Sequence, residues 1–109
     1  MRHKNIALIA ASVVALVGAS LSFAIQANAS EALAKSSGCT SCHAVEKKLV
    51  GPALKDVAAK YKTQKGADAM LAGKIKKGSG GVWGVIPMPP NAGVSDEDAL
   101  LLAKWVLTQ

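Results

Sequence analysis

Cys39-Thr40-Ser41-Cys42-His43 places two thiols three positions apart, followed at once by an imidazole. This is the spacing that covalent haem attachment requires. Each thiol can add across one vinyl group of a haem, giving two thioether bonds, and the adjacent imidazole can bind the iron. On a helical turn Cys42 and His43 lie three and four positions after Cys39, so all three project to one face. The chain has two cysteines, and both fall inside this motif. Two rival chemistries fit less well. Thiol–disulfide exchange by a C-x-x-C pair calls for a βαβ setting, which the helical pattern below lacks. A structural zinc needs a second pair of ligands, and the chain has none.

The motif is preceded by a segment that reads as a leader. Arg2, His3 and Lys4 form a basic start, Ile6 to Ala24 is apolar and uncharged, and Ala27-Asn28-Ala29 offers a small-x-small cleavage site. This is the pattern of a secretory signal peptide, so residues 1–29 are expected to be removed and residues 30–109 to form the mature domain. The rival is an uncleaved membrane anchor, since the apolar run is nearly long enough to span a bilayer. Dilution of the run by Ala, Ser and Gly, and the site at its end, favour cleavage. Export agrees with the motif, because covalent haem attachment occurs outside the bacterial cytoplasm; the expected location is the periplasm.

With His3 lost with the leader, His43 is the one histidine of the mature chain, and bis-histidine ligation within a single chain is excluded. Methionine is the next common ligand for such an iron. Met70 and Met88 remain. Met70 stands beside Leu71 in a helical pattern, where a flexible thioether fills core. Met88 stands in Ile86-Pro87-Met88-Pro89-Pro90, where prolines fix φ on both sides and hold the thioether in place. His43 and Met88 are therefore the expected axial pair. Two protein ligands close the coordination sphere and point to electron transfer without catalysis, while thioether sulfur favours Fe(II) over Fe(III). The alternative class is a haem sensor or peroxidase-like enzyme with an open sixth position, which would require Met88 not to bind.

These residues need a scaffold, and the pattern predicts short helices. Glu31 to about Gly38 leads into the motif. Lys47 to Pro52 is a turn, with Gly51-Pro52 ending any helix before it. Leu54 to Tyr61 carries Leu54, Val57, Ala58 and Tyr61 at helical spacing. Ala67 to Lys77 follows, closed by Gly78. Gly78 to Val94 has no helical or alternating period, yet is too apolar for disorder. Ser95 caps a last helix with acids in its first turn. Ala99, Leu102, Ala103 and Val106 form the buried stripe of that helix, widened by Leu101 and Trp105.

A mature chain of about 80 residues is one domain that buries too little apolar surface to be comfortably stable alone. Its aromatics are Tyr61, Trp83 and Trp105. A flat apolar cofactor would supply the missing core. Eleven lysines against seven acids leave a net +4 in residues 30–109. A mild lysine excess suits solubility and steering toward acidic surfaces. With no arginine and no interleaved aromatics it does not suit nucleic acid.

The chain resembles the class I c-type cytochromes of the small bacterial monohaem kind, the cytochrome c-551 type. The resemblance rests on Gly38 to His43, Val50-Gly51-Pro52-Ala53, Asp56-Val57-Ala58, Ile75-Lys76-Lys77-Gly78, Gly81 to Asn91 and Leu102 to Leu107. The C-x-x-C-H part is shared by most c-type cytochromes; the Trp-Gly-x-x-Pro-Met-Pro-Pro loop is much narrower. It implies an all-α fold of about four short helices around one covalently bound haem c, with the first and last helices crossing. It implies Cys39 and Cys42 as attachment points and His43 and Met88 as axial ligands. The Pro52 carbonyl would accept a hydrogen bond from the His43 ring, Trp83 would donate to a haem propionate, and Asn91 would orient the Met88 sulfur. Lys74 stands where relatives carry an arginine, keeping the charge without the bidentate geometry. Ala34 replaces an aromatic of some relatives, and a residue near Gly93 lengthens the loop. The implied role is that of a monomeric periplasmic carrier with no stable membrane association. Its donor would be a quinol-oxidising complex or another carrier, its acceptor nitrite reductase or an oxidase.

Overall fold

The structure, a computed structural model, describes residues 30–109; the leader and its cleavage site, residues 1–29, lie outside the described residues. The fold is all-α, with four helices and the short turn that carries the cysteines. Helix α1 is described over residues 30–36. Glu31 and Lys35 pair across one turn of it at 3.6 Å. It ends earlier than the sequence suggests, because Gly38 adopts φ 78°, a left-handed conformation that glycine tolerates best. That reversal starts the 3₁₀ turn Cys39–Ser41. The motif thus sits on its own tight turn, closed by the Cys42 and His43 amides, which both donate to Cys39 O.

Helices α2 (Leu54–Tyr61) and α3 (Ala67–Lys77) have the expected bounds. All four apolar positions of α2, Leu54, Val57, Ala58 and Tyr61, are buried. Helix α3 ends where Gly78 takes φ 85°. Helix α4 (Asp96–Val106) starts at the predicted cap, with Ser95 Oγ accepting from Asp98 N–H at 3.1 Å. Ala99, Leu102 and Ala103 are buried, but the stripe is narrower than expected: Leu101 is 46% exposed. Its neighbours fill the space against α3, and Leu101 falls on the solvent side.

Helix α3 packs along α4, and α2 packs against α4 more briefly. Val57, Tyr61, Ala67, Leu71 and Ala103 form the shared core, with Met70, Ile75 and Val106 against it. Six of the eleven buried apolar residues described are alanines, and among the described residues Leu102 is the one large side chain sealed completely. Among the described residues no helix is long and apolar enough to cross a membrane. Strand structure is confined there to one isolated antiparallel bridge, Ser79 with Met88.

Candidate functional site

Beside this thin core lies a cavity of about 590 Å³, lined by residues from every part of the described chain. Cys39, Cys42 and His43 form part of one wall, and Met88 and Trp83 reach the cavity from the loop after α3. Leu54, Val57, Leu71 and Leu102 face it from the helices. Met70 packs against the core cluster instead, so the two methionines of the domain have separate surroundings.

His43 is held in one orientation. Its Nδ1 lies 2.8 Å from Pro52 O. The carbonyl can only accept, so Nδ1 carries the proton and Nε2 is left as the free lone pair. Pro52 can serve this way because its segment is tied back to the motif: Gly51 N–H donates to Cys42 O at 2.8 Å, and Leu54 N–H to Ala44 O at 2.9 Å.

Met88 is held by more than its prolines. Its N–H donates to Ser79 O and its carbonyl accepts from Ser79 N–H. Three residues on, Asn91 N–H donates to Ile75 O at 2.9 Å. The stretch expected to lack regular structure is therefore laced to the end of α3 at two points. Gly78 makes the lacing possible, since a Cβ there would sit 2.8 Å from Met88 O. No side-chain signal marks Ser79 or Ile75 for this role, as the bonds are entirely backbone. Asn91 lines a separate, smaller and more polar cleft with Ser36, Ser37 and Asp98.

Two lysines, Lys48 and Lys74, border the cavity. Lys74 lines it, with Nζ 5.5 Å from the Tyr61 ring centre. Lys60 Nζ lies 5.7 Å from Tyr61 and 5.8 Å from Trp83, linking α2 to the loop through two aromatic faces. Burial, the dominant cause, pushes the Cys39 thiol above its ordinary pKa, with the nearby Cys42 adding to it and a backbone hydrogen bond opposing. Cysteines used for disulfide exchange are shifted the other way, toward thiolate. Cys39 is thus poorly suited to attack a disulfide.

The residues fit a haem. Leu49, Val50, Val82 and Trp83 are large apolar side chains exposed to solvent, and all four line the cavity. A flat apolar body seated there would cover them. Both thiols, an oriented imidazole and a thioether border the same space.

The relatives agree with this fit. A cytochrome c family model matches residues 27–109. Cytochrome c-551 of Pseudomonas aeruginosa is 65% identical over 79 residues, covering 72% of this chain and 75% of that one. Cytochrome c-552 of Nitrosomonas europaea is 62% identical over 82 residues, covering 75% and 80%. The crystal structure of wild-type Nitrosomonas europaea cytochrome c552 superposes with a TM-score of 0.71 at 63% identity, covering 72% of this chain and 96% of that one. The chain therefore belongs to the cytochrome c family, among its small monohaem class I members of the c-551/c-552 kind, as an electron-transfer protein with covalently bound haem c and not an enzyme.

Proposed function

We propose that His43 and Met88 are the axial ligands of the haem c held by Cys39 and Cys42, and that the protein is an exported, periplasmic single-electron carrier. The observation that carries this reading is the joint placement of both side chains and both cysteines around one cavity, with the His43 ring oriented by Pro52. When bound, haem c supplies a one-electron Fe(II)/Fe(III) couple.

The chain's own residues then have limited tasks. Pro52 O keeps the His43 proton on Nδ1, which leaves Nε2 for the iron and raises the basicity of the ring. The bridge to Ser79 ties the Met88 backbone to the end of α3, which would keep its reorganisation between redox states small. Apolar side chains from α2, α3 and α4 exclude water from the cavity. Trp83, which lines the cavity, is assigned to a propionate. The resemblance assigns Asn91 the orientation of the Met88 sulfur, whereas its observed tie is the backbone bond to Ile75 O that anchors the Met88 loop. With both His43 and Met88 holding the iron, no position would remain for oxygen chemistry. The lysine excess suits acidic redox partners, with a quinol-oxidising complex or another carrier as donor and nitrite reductase or an oxidase as acceptor. A monomer suffices for this work.

The visible spectrum with and without carbon monoxide tests the ligation. The expected ferrous spectrum is low-spin and unmoved by the gas near neutral pH. Ready carbon monoxide binding would overturn the proposed closed site in favour of a sensor or enzyme. Intact mass tests export: the expected protein starts at Ser30 and carries one haem, and retention of Met1 to Ala29 would overturn cleavage.

A further inference from the structure

Gly51 stands against the His43 ring with no room between them. A Cβ on Gly51 would lie 2.5 Å from His43 Cε1, 2.9 Å from Nδ1 and 3.0 Å from Nε2. Such similar distances put that point over the face of the imidazole and not beyond its edge. The glycine is not there for its backbone freedom, since it is absent from the positive-φ positions. Its environment does not let it retreat either. Gly51 N–H donates to Cys42 O at 2.8 Å, and Gly51 O accepts from Leu49 N–H at 3.1 Å. The ring is equally fixed, with Nδ1 bonded to Pro52 O at 2.8 Å.

We propose that Gly51 is a positioning residue whose bare Cα sets the tilt of the His43 imidazole plane. The inference rests on the reading of His43 as an axial ligand. Pro52 O restrains the ring within its plane, by direction. Gly51 restrains it perpendicular to that plane, by contact. Any side chain at position 51 must tilt the ring or break one of the three hydrogen bonds that frame it. Either result misaligns the Nε2 lone pair and weakens its donation to iron.

The test compares Gly51→Ala with Gly73→Ala in the haem-loaded protein. Gly73 lies inside α3 with open space where its Cβ would be, so it controls for a glycine replacement as such. Gly51→Ala is expected to redistribute the paramagnetically shifted haem-methyl resonances of the ferric protein and to raise the reduction potential, while Gly73→Ala leaves both as in the wild type. Unchanged resonances and potential in Gly51→Ala would overturn the role. If that variant fails to take up haem, proton NMR of the wild-type ferrous protein decides. A strong Overhauser effect between Gly51 Hα and His43 Hε1 is expected, and its absence would overturn the role. A wild-type protein whose haem NMR shows no iron-bound His43 ring would instead remove the ligand reading itself, and a wild type with His43 bound and an inert Gly51→Ala would remove this inference alone.

Discussion

Ser79 and Met88 exchange both of their backbone hydrogen bonds, Met88 N–H to Ser79 O at 2.7 Å and Ser79 N–H to Met88 O at 3.1 Å. The pair closes a loop whose tip carries Trp83, Val85 and Ile86. Two prolines limit the conformations of Met88, but they do not fix its distance from the rest of the molecule. The bridge does, by making the position of Met88 a property of the end of α3.

That dependence can be probed at Gly78. Its φ of 85° and the 2.8 Å approach of a Cβ to Met88 O leave no place for a side chain. Gly78→Ala should destabilise the protein by at least about 1 kcal/mol from backbone conformation alone, with more from the clash. Denaturant unfolding checks the stability, and the intensity of the weak sulfur–iron band at the red end of the ferric spectrum checks whether Met88 is displaced with it.

The two methionines should separate cleanly. Met88→Ala is expected to abolish the sulfur–iron band and open the iron to carbon monoxide. Met70→Ala should keep the band and cost about 2 kcal/mol, the low end for truncating a core methionine, because Met70 is only partly buried. Absorption spectra and unfolding curves of both variants check this, and a band that survives in both would remove the Met88 assignment.

Gly73 offers a prediction of the opposite sign. It lies within α3, and a Cβ there would meet nothing within 4 Å. Gly73→Ala should stabilise the protein by about 0.5–1 kcal/mol, through the helix propensity of alanine. Thermal and denaturant unfolding check it.

Acid should loosen the far end of the loop that carries Met88. Lys76 of α3 hydrogen-bonds Asp96 in the first turn of α4, just beyond the loop. That hydrogen bond, followed by the Lys76 charge, lowers the Asp96 pKa from its ordinary 3.8. A carboxylate depressed in the folded state contributes stability above its unfolded value and loses it as pH falls through the folded value. The contribution is therefore complete at neutral pH, begins to fall near pH 3.8 and is gone below the lowered folded value. Asp96 is exposed, so the effect is small. Asp96→Asn should flatten the acid limb of the stability profile in that window and leave the neutral region shifted only slightly, as read from unfolding midpoints across pH.

The helices were legible because their punctuation is chemical. Gly78, Ser95 and the apolar spacing of Leu54, Val57, Ala58 and Tyr61 each carry a signal that a single chain displays. Leu101 was misread because periodicity cannot say how wide a stripe the neighbouring helix will cover. At the site, residue types alone led to Cys39, Cys42, His43 and Met88, and the structure brings all four to one cavity. The Ser79–Met88 bridge was invisible, since backbone hydrogen bonds across nine residues leave no trace in side-chain identity. The contact between Gly51 and His43 was hidden for a related reason. A glycine chosen for a turn and a glycine chosen to admit a ring look the same in a sequence.

Alanines make up six of the eleven buried apolar residues described, and among the described residues Leu102 alone is a large side chain sealed by protein. Its walls for the cofactor come from segments spread between Ala34 and Val106. A polypeptide built this way has an order of events imposed on its maturation. Until a haem is bonded to Cys39 and Cys42, the segments that should converge have nothing large to converge upon. Bonding a haem at the Cys39–Ser41 turn supplies that body, and burying it would favour closure of the same walls around the bonds that hold it.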